Sequence, residues 1–355
     1  MKDSLYFQRV QKMTPTRVWV NNPTRKQARD AIAAGACGCT ANPSYISKML
    51  QDREEGEYVR EMIRSLLPQE ADDLALLKKL QSSVVQELAA IFYPVYESSG
   101  HKYGYVSIQG DPFEETEENI YQYAMANHAM SANITPKVPL VESAFGAIRR
   151  LLRQGVPLNV TEVMSVHQYM DLYAIYQEVA AEKAPMPVVF CSHIMGIFDE
   201  YLREYVRREN IAIDQDVLAQ AGGCVARKLT EIGRQQLSAI CWISGGARRT
   251  SDFTGMVGSN MNVTINWKGM FDVLLEADQP VLQSFHQPVP VTVLDELLEK
   301  VPDFRRAYMI NGLQSDEYED FGPVVKFRDS FRKGWKEALA EIAKLRMEQN
   351  GAKRV

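Results

Sequence analysis

The run ITPKVPL sets one lysine, Lys137, between Pro136 and Pro139 in a stretch of strand character. An ammonium enclosed among apolar neighbours loses solvation and its pKa falls. The neutral amine that results can attack a ketone, giving a carbinolamine and then an imine. Once protonated, the iminium is an electron sink that lets the adjacent C–C bond break or form. Position alone leaves a second reading open, in which a lysine at a strand end snorkels to solvent. Other polar residues at the ends of apolar runs are Asn21; Thr40 with Asn42; Gln109; Asn159 with Thr161; Ser192 with His193; Ser244 with Arg248; and Asn266. Apart from His193 and Arg248 they are neutral hydrogen-bonding groups.

The runs that would position these residues are short and apolar: Arg17–Asn21, Ala36–Thr40, Tyr103–Gln109, Asn133–Val138, Val156–Thr161, Pro187–His193, Ser238–Ser244 and Asn260–Asn266. Between them lie segments of 3.6-residue periodicity. In FGAIRRLLRQG, for example, Phe145, Ile148, Leu151 and Leu152 share one face and Gly155 stops the helix. The stretches 165–181 and 194–233 read the same way. Strands apolar on both faces and separated by helices predict a parallel sheet, and eight such units predict an α/β chain closed into a (β/α)₈ TIM barrel. In such a barrel, reacting groups stand at the C-terminal strand ends, where the polar residues above fall.

Extra helical material is expected between the second and third strands, at 52–98, and again after Pro288. The barrel core then occupies about 17–280 and a helical extension about 288–350, in a single domain. In VKFRDSFRKGWKEALAEIAKL, Phe327, Phe331, Trp335, Leu339 and Ile342 recur at 3- and 4-residue spacing, an amphipathic helix docked on the barrel.

Composition narrows the classes. With 46% hydrophobic and 24% charged residues the chain is globular. Its 40 Lys+Arg against 45 Asp+Glu give a formal charge of −5, which offers no general attraction to nucleic acid or anionic membrane. The start of the sequence has no apolar core of signal-peptide length, and no segment approaches 18 uninterrupted apolar residues, so a cytoplasmic protein is expected. Five scattered cysteines suit reduced core thiols, and Cys37-Gly-Cys39 lacks the second pair that a zinc site needs. No glycine-rich phosphate cradle or nucleophile elbow occurs, so neither a cofactor nor a metal is expected. The acidic run Glu114–Glu118 reads as a solvated helix start. A homodimer is the default among soluble oligomers.

The ordered motifs resemble the transaldolase family, in particular longer bacterial members with a helical insertion after strand two. The resemblance runs from about Val18 to the C-terminus. TANPS (Thr40–Ser44) is similar to the family's TTNPS, and GYVSIQGDP (Gly104–Pro112) to its third strand. ITPKVPLVESAFGAIRRLLRQGVPLNVTEVMSVHQY (Ile134–Tyr169) is similar to the segment that carries the Schiff-base lysine, with Lys137 at that position. WISGGARR (Trp242–Arg249) resembles the strand-seven segment, with Arg248 on a phosphate-binding basic residue.

The resemblance implies a mechanism in which a ketose forms an imine with Lys137 and retro-aldol cleavage releases an aldose. The bound dihydroxyacetone unit then passes to an acceptor aldehyde. It implies that Thr40, Asn42 and Asn159 hold the donor, that Thr161 positions a water, and that Ser244 and Arg248 bind the distal, phosphorylated end.

The departures matter equally. The family's acid–base aspartate falls on Asn21, its third-strand glutamate on Gln109, and a second phosphate-binding arginine on Gly196. An amide orients water but exchanges no proton at neutral pH. Glutamine at the third strand also occurs in the related fructose 6-phosphate aldolases, which rely on a tyrosine where this chain has His193. That imidazole is either a replacement proton shuttle or a buried structural histidine. Transaldolase is the first reading, aldolase the alternative, and a sugar-binding barrel without turnover the third.

Overall fold

The computed structural model describes residues 5–352, so the first four residues of the N-terminal stretch read above lie outside it. Eight strands form a closed, all-parallel barrel in chain order: β1 (Arg17–Asn21), β2 (Ala36–Ala41), β3 (Tyr105–Gln109), β4 (Ile134–Pro139), β5 (Leu158–Val163), β6 (Val189–His193), β7 (Cys241–Ser244) and β8 (Met261–Asn266). Pairing of β1 with β8 closes the ring, Arg17 to Asn21 running beside Asn262 to Asn266. All eight expected strands are present. Four of them, β3, β5, β6 and β7, begin two or three residues later than their apolar runs suggest.

The barrel interior is layered. Trp19, Cys37, Tyr105, Phe190 and Ile243 fill one layer, their side chains 3% exposed or less. Gly38 makes room for it, since a Cβ there would lie 2.4 Å from the Trp19 indole. Above sits a polar layer, in which Asn159 donates to Ser107 Oγ at 2.9 Å and accepts from Ser192 Oγ at 2.6 Å. A buried polar layer is stable only when its groups satisfy one another, as these do.

Helices cover the outside. Phe145–Gln154 ends at Gly155, whose φ of 81° is the left-handed cap that glycine takes at no steric cost. Ser165 caps the helix Val166–Glu182 by accepting from the Gln168 amide. The insertion between β2 and β3 supplies Tyr45–Gln51, Glu55–Leu66 and Asp73–Ser98. No helix among the described residues is long and apolar enough to cross a membrane.

The final helix is longer than its sequence pattern predicted, running from Gly322 to Ala352. At about 1.5 Å per residue it extends roughly 46 Å, and it lies across the C-terminal mouth of the barrel as a strap. Lys326 pairs with Glu204 at 2.7 Å near one end, Ser47 donates to Glu337 at 2.6 Å, and Arg346 pairs with Asp73 at 2.7 Å near the other. Gly334 permits the close approach, because a Cβ there would sit 2.3 Å from that of Ser44.

Candidate active site

Lys137 stands at the barrel mouth with its side chain pointing inward. Its register partners are Gln109 on β3 and Asn159 on β5. The residue is 8% exposed, and its Nζ lies 5.2 Å from the ring centroid of Phe327 and 5.4 Å from that of Phe331, both on the strap helix. Burial lowers its pKa from 10.5 to about 8, against an opposing pull from Glu162. That drop raises the fraction of neutral amine at pH 7 roughly 300-fold. Lys137 has no hydrogen bond or ion pair among the described residues.

A cavity of about 410 Å³ opens from Lys137 toward solvent, lined on the strand side by Asn21, Thr40, Asn42, Ser192 and Asn266. Phe327, Phe331 and Lys333 of the strap helix line it from above. Asn21 is fixed, donating to Asn266 Oδ1 at 2.8 Å and accepting from Thr40 Oγ1 at 2.9 Å. The Asn42 carbonyl oxygen accepts from the amide and hydroxyl of Ser44, an Asx turn in the TANPS motif. Its side-chain Nδ2 has no hydrogen-bond partner among the described residues. Asn159 lies beside Lys137 with both side-chain atoms satisfied, and Thr161 Oγ1 is buried without a hydrogen-bond partner among the described residues.

Arg248 lines the cavity, with Nε 2.9 Å from Glu200 Oε2, and Lys48 faces the same space. Burial, and Arg248 nearby, lower the Lys48 pKa. At position 196 there is no room for an arginine. A Cβ on Gly196 would lie 1.9 Å from the Gly246 carbonyl oxygen, where the first turn of the helix Met195–Arg208 meets the loop after β7.

Of the residues proposed from the sequence, Gln109, Asn159, Thr161, His193 and Ser244 do not line this cavity, and Gln109 instead lines a second one of about 230 Å³ that also reaches Lys137. Strand alternation turns Ser192 inward and His193 outward. The His193 ring is fully buried, with Nδ1 2.8 Å from Val163 O and Nε2 3.2 Å from Gly222 O, and burial pushes its pKa down to about 4. On β7 Ile243 faces inward, while Ser244 faces Met195, its Oγ 4.0 Å from the sulfur.

Sequence reasoning passed over Phe327 and Phe331 as site residues, and also Glu162. Glu162 is 1% exposed and accepts a 3.1 Å hydrogen bond from Gln109 Nε2. The acidic run before the helix Glu117–His128 is also not wholly solvated. Glu115 is half-buried close to Glu162, and burial together with that neighbour pushes its pKa up to about 9. The signal for Glu162 was a carboxylate following Thr161 where the β-strand still runs apolar.

The family described as Transaldolase/Fructose-6-phosphate aldolase matches residues 18–217. Transaldolases of Saccharopolyspora erythraea and Mycobacterium tuberculosis are each 29% identical over 168 residues, 45% of this chain and 44% of theirs. That of Mycobacterium ulcerans is 28% identical over 177 residues, 46% of this chain and 47% of its own. The chain thus spans under half the length of these relatives. With the family match covering more than half of its residues, β1 to β6 and Lys137 included, the chain belongs to the transaldolase/fructose-6-phosphate aldolase family.

Proposed function

We propose that the protein is a Schiff-base enzyme of the transaldolase kind, acting on a ketose or ketose phosphate through Lys137. The observation that carries this reading is the state of that lysine. It is a buried amine with a lowered pKa, has no ion pair among the described residues, and meets a polar cavity of sugar-sized volume. The amine adds to the ketose carbonyl, water leaves, and the iminium draws the C3–C4 electron pair as an aldehyde departs. The enamine left on Lys137 adds to an acceptor aldehyde, or is protonated if the enzyme is a lyase.

Asn42, through its side-chain Nδ2, holds a donor hydroxyl. Asn21, Thr40 and Asn266 form a rigid set of acceptors and donors along the same wall. Lys48, Arg248 and Lys333 receive an anionic distal end, which favours a phosphorylated substrate. The aldolase reading is favoured by Gln109, the residue type that the fructose 6-phosphate aldolases carry.

Borohydride reduction in the presence of fructose 6-phosphate or dihydroxyacetone tests the mechanism. A mass adduct on Lys137, with Lys137→Met inactive yet folded, is expected. A native protein that turns over ketoses with no adduct on Lys137 would sink it.

A further inference from the structure

Asn21 and Gln109 occupy the positions where the family resemblance places carboxylates, and neither amide can exchange a proton near neutrality. The imine chemistry proposed above still needs a proton donor and acceptor at Lys137. His193 is turned away from the cavity.

Glu162 is the carboxylate the fold carries to that place. In a regular strand Thr161 and Glu162 would point to opposite faces. Here the pairing of β5 with β6 slips between Val160 and Val163, and Glu162 takes a φ of 64°, a conformation that L residues with side chains rarely adopt. The buried side chain of Gln168 holds this turn. Its Nε2 donates to Glu162 O at 3.0 Å and to Leu140 O at 2.9 Å, and its Oε1 accepts from the Met164 amide at 2.8 Å. A left-handed, non-glycine residue at a barrel mouth, clamped from behind, is backbone strain kept at a functional position.

The Glu162 side chain thereby reaches Gln109, the register neighbour of Lys137. Its Oε2 has no hydrogen-bond partner among the described residues although it is buried, and the same holds for Gln109 Oε1 and Thr161 Oγ1. Gln109 is one register partner of Lys137, and Thr161 and Glu162 follow the other, Asn159, on β5. We propose that Glu162 is the proton-transfer group of this site, replacing the carboxylates that the residues at 21 and 109 do not supply.

The charged groups that face Glu162 are Lys137 from β4, Glu115 from the segment after β3, and Arg328 and Arg332 from the strap helix. Burial raises the Glu162 pKa, against the pull of Lys137 and the two arginines. A carboxyl held above its ordinary range keeps its proton to higher pH, so it can serve as an acid as well as a base.

The steps balance. Lys137 adds to the ketose carbonyl to give a carbinolamine, and the Glu162 acid protonates its hydroxyl. The C–O bond breaks, water leaves, and the nitrogen lone pair forms the C=N bond of the iminium. The Glu162 carboxylate then takes the proton of the C4 hydroxyl. The C3–C4 pair becomes the C2=C3 bond of a neutral enamine, and C4 leaves as the aldehyde. Addition to the acceptor returns that proton to the new alkoxide, and water entering the second iminium gives one back to Glu162.

The proposal rests on the Schiff-base reading, and its test separates the two. Native protein, Glu162→Gln and Glu162→Gly are assayed for kcat on fructose 6-phosphate between about pH 5 and pH 9, and for borohydride-trapped adduct on Lys137. Glu162→Gln is expected to lower kcat by about 100-fold or more, to abolish the acidic limb of the profile, and to leave slow adduct formation on Lys137 intact. Glycine suits a φ of 64°, so Glu162→Gly keeps the turn. Its kcat should fall similarly and recover about tenfold or more with added formate.

Glu162→Gln with kcat within about 3-fold of native and an unchanged pH profile overturns the proposal while the Schiff-base reading stands. A slow Glu162→Gly that formate does not rescue overturns it too, leaving Glu162 a residue that only shapes the site. A native protein without the adduct overturns both.

Discussion

The Lys137 ammonium lies 5.2 Å from the Phe327 ring, so the strap helix at the far end of the chain helps to set the protonation of the barrel's amine. The contact has two opposing effects. A ring face stabilises the cation by about 0.5–2 kcal/mol, whereas exclusion of water destabilises it. Burial lowers the pKa from 10.5 to about 8, roughly 3.4 kcal/mol, which exceeds the ring attraction, so exclusion of water wins.

Opening this lid should therefore raise the Lys137 pKa. Phe327→Ala or Phe331→Ala is expected to move the acidic limb of the kcat/KM profile, below which the amine is protonated, to higher pH, and activity at pH 7 should fall about tenfold for every pH unit the limb moves. Truncating either buried ring also costs about 3–5 kcal/mol of stability. An inactivation assay with a pH-dependent lysine reagent reads the same pKa independently. A limb that stays in place or moves downward would show that the rings act through cation–π attraction instead.

His193 tests a different link, between burial and acid stability. Its folded pKa is depressed to about 4 while the unfolded chain titrates near 6.5, so between these values the unfolded state binds the extra proton. Stability attributable to the neutral ring is present above pH 6.5 and is lost as pH falls toward 4, by about 3 kcal/mol in all. Urea unfolding of the native protein and of His193→Phe should show this slope only in the native chain. The pH profile of kcat should be shared by the two, since the ring nitrogens face Val163 and Gly222 carbonyls rather than the cavity. A profile that changes shape in His193→Phe would return the imidazole to the mechanism.

These cases show where the sequence was readable. Apolar runs separated by helical periodicity were sufficient for eight strands, and Lys137 stood out as an amine inside one of them. Period-two alternation also carries the information that Ser192 and Ile243 face inward while His193 and Ser244 face the helices. Reading strand ends as sets of polar residues discards it. Glu162 was hidden for the opposite reason. Its reach to Gln109 goes with the slip of β5 against β6 and the left-handed turn that Gln168 clamps, and neither the slip nor the clamp has a local signature in NVTEV. For Phe327 and Phe331, heptad-like spacing announced a docked helix but not which barrel surface it would meet. That is decided by long-range contacts such as Gly334 against Ser44.

The anionic end of the substrate gives the last prediction. If Arg248 and Lys48 receive a phosphate, Arg248→Ala and Lys48→Ala should each raise KM about tenfold for phosphorylated ketoses and leave dihydroxyacetone nearly unaffected. Equal effects on both substrates would deny these cations the role. The Arg248 guanidinium already pairs with Glu200, so Glu200→Gln, which frees it, is expected to lower KM for the phosphorylated substrate. The arginine that the family resemblance places at 196 cannot be restored by substitution. Gly196→Arg, like Gly196→Ala, would drive a Cβ to 1.9 Å from a backbone carbonyl and separate the segments after β6 and β7. Those two segments, the start of the helix Met195–Arg208 included, carry Ile194, Ile197, Gly245, Gly246 and Arg248 to the cavity wall. Both variants should therefore lose stability and raise KM together, the arginine no less than the alanine, because backbone displacement precedes any charge it could contribute.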